Sequence, residues 1–444
     1  MAVARHRTPK ATPARSDAPE VAVLSTPLPP HKVGQRPQVW SRAWFLLGLP
    51  LVLTLALGLT EPTTMLTASQ AAWPLIVLFS GGYVGAWALA AEFERFPTTR
   101  PGEALLFGAM IALLPVGLLA AVDSVASLPY FLEVASGASI VWLAAGVWFF
   151  QRRPRSRFAV FPGGSAYQLL RSVSGTHEVT TSGHRIPDRV DGIVADLHRV
   201  PDTGFQGLLA HSGVRGLPVY DAAYLYEMLT GCVLLGKTRD TSIEVRPPGP
   251  LYDMVKRSLD IGLILISAPI TLPMMAITAL AIKLESPGPV LFRQERVGRH
   301  GRRFEIVKFR SMFTDAERNG AQFAGEKDDR ITRVGRFIRK YRIDELPQFW
   351  NVLRGDMSLI GPRPEQVSFV QDFRNEIPYY PQRHAVRPGI TGWAQVRSGY
   401  AASTRETRRK LAFDLYYVKY RSLALDLLII CLTLKTMVTG FGAR

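Results

Sequence analysis

IGLILISAPITLPMMAITALAI, Ile261–Ile282, is a 22-residue stretch without a charge, long enough as a helix to cross a hydrocarbon core of about 30 Å. Pro269 and Pro273 stand near its middle, where each removes a helical hydrogen bond and crowds the preceding turn. Lys256 and Arg257 come before it, and Lys283, Arg293 and Arg296 come after. A complete crossing would carry the basic C-terminal part outside, against the tendency of Lys and Arg to stay on the cytoplasmic side. The segment reads as a helix that breaks at proline, enters one leaflet and returns. A complete span is the alternative.

Towards the N-terminus, four further apolar segments, Trp44–Leu59, Trp73–Ala91, Ala104–Val122 and Val134–Phe150, approach the length of a membrane helix. Arg36 and Arg42 precede the first, Arg95 and Arg100 lie in the second loop, and Arg152, Arg153, Arg155 and Arg157 follow the fourth. The first and third loops carry no Lys or Arg. Both ends of this bundle are therefore expected on the cytoplasmic side. Residues 1–43, rich in Pro, Ala, Thr and basic residues with no apolar run at the start, read as a disordered cytoplasmic tail.

Residues 158–237 change character, with short apolar runs at Phe158–Phe161 and Gly192–Ala195 among many Gly, Pro, His and Asp. A strand, then Pro162-Gly-Gly-Ser165, then a helical pattern over Ala166–Val173 suggests a reduced Rossmann-like module, although the complete G-x-G-x-x-G fingerprint is absent. His177, His184, His198 and His211 are not at metal-ligand spacing. Cys232 and Cys431 form no framework and read as buried thiols. Residues 238–253, with Pro247, Pro248 and Pro250, are a linker to a C-terminal domain over 254–444 whose re-entrant helix spans 260–283.

The chain has 444 residues, 47% hydrophobic, and a formal net charge of +17. Residues 251–444 hold 32 Lys+Arg against 19 Asp+Glu, so 32 minus 19, or +13, of that charge lies there. A basic half beside apolar segments favours anionic lipids and phosphorylated ligands. No nucleic-acid recognition motif accompanies the charge, so nucleic acid is not an expected partner.

Three stretches concentrate the chemistry: KFRSM (Lys308–Met312), RFIRKYRIDELPQFWNVLRGDMSLIGPRP (Arg336–Pro364) and RPGITGWAQV (Arg387–Val396). At their centre Asp344 and Glu345 are adjacent among Arg336, Arg339, Lys340, Arg342, Arg354 and Arg363. Arg and Lys pair with phosphate oxygens, while a carboxylate attacks as a nucleophile or holds Mg²⁺. Thr332–Lys340 reads as an amphipathic helix, and Pro347 as the first residue of a helix over Pro347–Leu353. Carboxylates at that terminus are expected to be held as anions by the helix dipole and the arginines. Gly389–Gly392 looks like a tight turn, either structural or cradling a nucleotide. Leu423–Phe441, apolar but carrying Asp426 and Lys435, reads as an interfacial helix.

The run DELPQFWNVLRGDMSLIGPRPE resembles the bacterial sugar transferases, monotopic polyprenyl-phosphate phosphoglycosyl transferases, over roughly residues 256–440. The resemblance implies transfer of a sugar 1-phosphate from a UDP-sugar, a hexose such as glucose or galactose, to undecaprenyl phosphate. It implies Asp344 as nucleophile through a covalent phosphosugar, Glu345 as Mg²⁺ ligand, and Lys308, Arg339, Arg363 and Arg387 around the substrate phosphates. It also places the break of the re-entrant helix at Pro273, although Leu272 stands where serine is usual. The resulting expectation is an α+β membrane protein. It has four N-terminal transmembrane helices, a small α/β Rossmann-like middle module and a C-terminal α/β catalytic domain with a re-entrant membrane helix. The catalytic domain faces the cytoplasm at a bacterial inner membrane, starts exopolysaccharide, capsule or O-antigen synthesis, contacts membrane lipids, and is compatible with a homo-oligomer. A non-catalytic scaffold for anionic lipids is the alternative.

Overall fold

The computed structural model describes residues 69–93, 158–161, 164–172, 176–178, 192–198, 216–235, 249–314, 330–377, 379–398 and 404–439, with a few isolated positions elsewhere. The tail (1–43), most of the first, third and fourth apolar segments, and the linker up to 248 lie outside the described residues. The second apolar segment forms α1 (Ser69–Phe93), which packs against the last helix of the chain.

The middle module contains β1 (Phe158–Val160), α2 (Ala166–Ser172), β2 (Thr176–Glu178), β3 (Gly192–Ala195), β4 (Val219–Asp221) and α3 (Ala222–Thr230). Its strands are all parallel, in the order β2-β1-β3-β4. Unbroken apolar runs suit strands covered on both faces, and β1 and β3 are buried throughout. α3 starts where Asp221 Oδ1 accepts from Tyr224 N at 3.0 Å and ends at Gly231, whose φ of 71° favours glycine. Open parallel sheets bind ligands beyond the carboxyl ends of their strands. Here the module's own Asp196 sits there, accepting from Ser165 N at 2.8 Å and His198 N at 3.2 Å.

The C-terminal domain begins with α4 (Pro250–Glu285), the one helix among the described residues long and apolar enough to cross a membrane. It runs through both Pro269 and Pro273 without a coil between two halves. Proline at these positions deprives the carbonyls of Leu265 and Pro269 of their donors. Those carbonyls are four apart and share one face, so the helix can open there without unwinding. Both ends are tied to the same domain. Lys256 pairs with Asp426 at 2.9 Å, Asp260 accepts from Ser358 Oγ at 2.7 Å, and Glu285 Oε1 accepts from Arg333 N at 2.7 Å. Between those anchors Ile266, Ile270 and Ile277 are exposed.

β5 (Leu291–Val297) and β6 (Arg303–Phe309) form a basic antiparallel hairpin. Next come α5 (Arg333–Lys340), α6 (Gln348–Arg354), β7 (Ser358–Ile360), α7 (Val367–Glu376), β8 (Gly389–Thr391), α8 (Trp393–Ser398), α9 (Thr404–Tyr420) and α10 (Leu423–Thr439). Gly389–Thr391 is thus a strand, parallel to β7, rather than a turn. The Gly389 amide is committed to the protein, since it donates to Pro362 O at 3.0 Å. α10 packs one face against the protein. Asp426 is buried and bonded to Lys256, Tyr252 and Tyr417, while Leu425, Leu428, Ile429 and Cys431 enter the core. The Asp426 charge is neutralised there by partners distant in sequence.

One core joins the two units, running from Leu225, Tyr226 and Cys232 to Trp393, Phe413 and Tyr416. Trp393 Nε1 donates to Gly231 O at 3.0 Å, and Val233 N donates to Ala412 O at 3.0 Å.

Candidate active site

The site is built by a sharp turn between two short helices. α5 is capped by Thr332, whose Oγ1 accepts from Gly335 N at 2.8 Å. Gly335 is required for the approach to the segment after β6: a Cβ there would stand 2.0 Å from Ser311 O. After Lys340 the backbone reverses through Arg342, a non-glycine residue at φ 59°. A 3₁₀ turn over Ile343–Glu345 follows, and Pro347 leads into α6 one residue later than the sequence suggests. Left-handed backbone at such a residue costs about 1–2 kcal/mol and needs compensation. Arg342 Nη1 supplies part of it by donating to Glu345 Oε1 at 3.1 Å.

The turn drives both carboxylates inward, leaving Asp344 9% and Glu345 5% exposed. Glu345 is clamped. Arg363 Nη2 donates to Oε1 at 2.9 Å and Arg363 Nη1 to Oε2 at 3.1 Å, in the two-pronged geometry typical of guanidinium and carboxylate. Asp344 Oδ1, by contrast, is buried without a hydrogen-bond partner.

These surroundings split the two acids. Burial would raise the Glu345 pKa, but Arg363 and Arg342 more than offset it and hold it below the usual glutamate range. Burial, followed by the Glu345 charge, pushes Asp344 up to about 6 against the pull of Lys308, Arg363 and Arg342. The expectation that the helix terminus and the arginines stabilise both anions is therefore corrected for Asp344, which is still ionised at pH 7 but with its anion disfavoured. Desolvation exceeds what its cations return.

Lys308 is half-buried on β6, with Nζ 4.8 Å from the centre of the Phe292 ring. Burial, then Arg296 and Arg363, push it down to about 8. α6 fixes the strand that carries it. Asn351 Oδ1 accepts from Val307 N at 3.0 Å and Nδ2 donates to Glu305 O at 2.7 Å.

Of the residues expected from sequence, the structure brings Lys308, Asp344, Glu345 and Arg363 together. Arg339, on α5, lies close enough to Asp328 for its charge to add to that of Arg330, which holds the Asp328 carboxyl down to about 2. Arg387 faces Arg299 and Arg257; burial and those two charges keep it below its ordinary value. Trp393 is core, stacked 5.9 Å from Tyr416. Arg342 and Arg296 complete the electrostatic setting without having been singled out as site residues. Arg342 stood in plain view two positions before Asp344, whereas nothing in the sequence links Arg296 to that pair.

A divalent ion has two carboxylates to meet here, and no group of three or more His, Cys, Asp or Glu side chains that could hold a metal occurs among the described residues. That donor set fits Mg²⁺, which takes one or two carboxylates and fills its octahedron with water and substrate phosphates. The unpartnered Asp344 Oδ1 and the lone pair left on Glu345 Oε2 are the oxygens available.

Comparison with known proteins identifies relatives of this chain. The family described as bacterial sugar transferase matches residues 251–440. An Aeromonas hydrophila protein named UDP-N-acetylgalactosamine-undecaprenyl-phosphate N-acetylgalactosaminephosphotransferase is 46% identical over 321 residues, covering 71% of this chain and 76% of that protein. A Caulobacter vibrioides protein named UDP-glucose:undecaprenyl-phosphate glucose-1-phosphate transferase is 42% identical over 224 residues, 47% of this chain and 84% of its own. An Escherichia coli protein of the same name is 41% identical over 197 residues, 42% of each chain. Because the similarity to the Aeromonas protein extends well beyond the stretch that holds the paired acids, the chain belongs to the bacterial sugar transferase family and is an enzyme of the transferase class.

Proposed function

We propose that this protein transfers a sugar 1-phosphate from a UDP-sugar to undecaprenyl phosphate, the first membrane step of a bacterial glycan. The observation that carries the reading is the unpartnered oxygen of Asp344 beside a Glu345 locked by Arg363 and Arg342. A carboxylate oxygen of Asp344 attacks the β-phosphorus. The bond from that phosphorus to the oxygen bridging to the α-phosphate breaks, and UMP leaves with the electron pair. An oxygen of the lipid phosphate then attacks the phosphosugar, the Asp344–phosphorus bond breaks, and the carboxylate is restored. Lys308 and Arg363 steady the charge on the phosphoryl oxygens, and a desolvated site strengthens both contacts. Glu345, with Asp344 Oδ1 beside it, would hold Mg²⁺, which when bound offsets the charge of the diphosphate.

The exposed apolar middle of α4, tied at both ends to the catalytic domain, supports a helix that enters the inner leaflet from the cytoplasmic face and returns. There a donor from water and an acceptor from the bilayer meet the same acid in turn. The relative aligned over most of the chain is named for N-acetylgalactosamine, so UDP-N-acetylgalactosamine belongs beside UDP-glucose and UDP-galactose as a donor.

The test uses the full chain in lipid nanodiscs with undecaprenyl phosphate, Mg²⁺ and each UDP-sugar. UMP release from the unaltered protein, its loss in Asp344→Asn, and a phosphosugar on Asp344 in mass spectra are expected. A scaffold that only binds anionic lipid would release no UMP with any donor.

A further inference from the structure

The loop Gly361–Pro364 presents Arg363 to Glu345. Its backbone is fixed at several points: Gly361 N donates to Thr391 O at 2.9 Å, and Gly389 N donates to Pro362 O at 3.0 Å. At Arg363 itself the carbonyl accepts from Arg383 Nη2 at 2.8 Å. Arg383 is 3% exposed, in a 3₁₀ turn over Tyr380–Ala385. Its Nε and Nη2 donate to Asp414 Oδ2 at 3.1 and 2.8 Å, and its Nη1 donates to Tyr380 OH at 2.9 Å.

A buried ion pair of this kind contributes little net stability compared with apolar residues of the same volume. What the planar guanidinium supplies is direction, because its donors lie in one rigid fork. Asp414, from the middle of α9, and Tyr380 hold two sides of that fork, leaving Nη2 aimed at the carbonyl of Arg363 as well.

We infer that Arg383, oriented by Asp414, is a positioning residue that sets where the Arg363 guanidinium meets Glu345 and the substrate phosphate. The catalytic part of this inference rests on the proposed transferase reading; the positioning itself does not. Lysine at 383 keeps the charge but cannot donate in the three directions that the fork serves.

The experiment compares hydrogen–deuterium exchange and kinetics of the full chain in nanodiscs for wild type, Arg383→Lys, Arg363→Lys and the double variant. Arg383→Lys is expected to speed exchange in peptides covering 358–366 while peptides covering 219–230 keep their rates. It is expected to lower kcat/KM by on the order of ten-fold alone and to cost nothing further beside Arg363→Lys, as coupled residues do. Unchanged exchange at 358–366, or equal fold losses in both backgrounds, would overturn the inference. A wild-type protein that releases no UMP would sink the transferase reading instead, and the exchange result would then decide the positioning alone. Should Arg383→Lys fail to accumulate folded, Asp414→Asn is read in the same way.

Discussion

Asp344 and Glu345 share one turn of backbone but not one electrostatic fate. Glu345 keeps its charge because Arg363 and Arg342 accompany it inside, whereas Asp344 is desolvated beside a second negative charge and is pushed up to about 6. Each pKa unit is worth about 1.36 kcal/mol. Rising from 3.8 to about 6, ionised Asp344 opposes folding by on the order of 3 kcal/mol at pH 7. The sign follows from a folded pKa above the unfolded one: the stability is fully present below 3.8 and is lost as pH climbs through about 6. Asp344→Asn should therefore abolish transfer and yet stabilise the fold at pH 7. In chemical unfolding the gain should shrink between pH 6 and 4 and vanish below that. The wild-type rate should fall below about pH 6 as Asp344 takes up a proton, and again above about pH 8 as Lys308 loses one. A rate that stays level between pH 5 and 7 would remove Asp344 as the attacking group.

At the scale of elements, spacing in the sequence revealed the amphipathic α5 and the Rossmann-like, hence parallel, character of β1 and β3. Each depends on neighbours close along the chain or on a continuous apolar run. What escaped that reading depends on partners far away. The neutralisation of Asp426 needs Lys256, 170 positions earlier, and the role of Gly389 needs Gly361. In the structure β7 and β8 approach so closely that a Cβ on Gly361 would lie 2.4 Å from Arg387 O and 3.0 Å from Gly389 N. Both obstacles are backbone and neither can swing aside. Gly361→Ala should cost about 1–3 kcal/mol, the usual range for overpacking, and displace the loop that carries Arg363. Activity should drop further than stability does. Equal thermal unfolding and equal kcat/KM for variant and wild type would show that the two strands have slack.

At the scale of the whole molecule, α9 is the member shared by both units. Asp414, midway along it, holds Arg383 and through it the loop of Arg363. Near its end Lys419 Nζ and Tyr420 OH donate to Glu227 of α3, at 2.7 and 2.6 Å. Glu227 is 4% exposed, so removing its carboxylate leaves a cation and a hydroxyl without their acceptor in the seam. Lys419 retains about a quarter of its exposure, and solvent screening tempers the loss. Glu227→Ala should thus cost about 1–3 kcal/mol, concentrated at the seam rather than in either unit. The expected signature is faster exchange in both 219–235 and 404–420, followed by unfolding of the module before the catalytic domain where wild type shows one transition. Faster exchange confined to 219–235 would mean that the module merely rests on α9 and does not brace it.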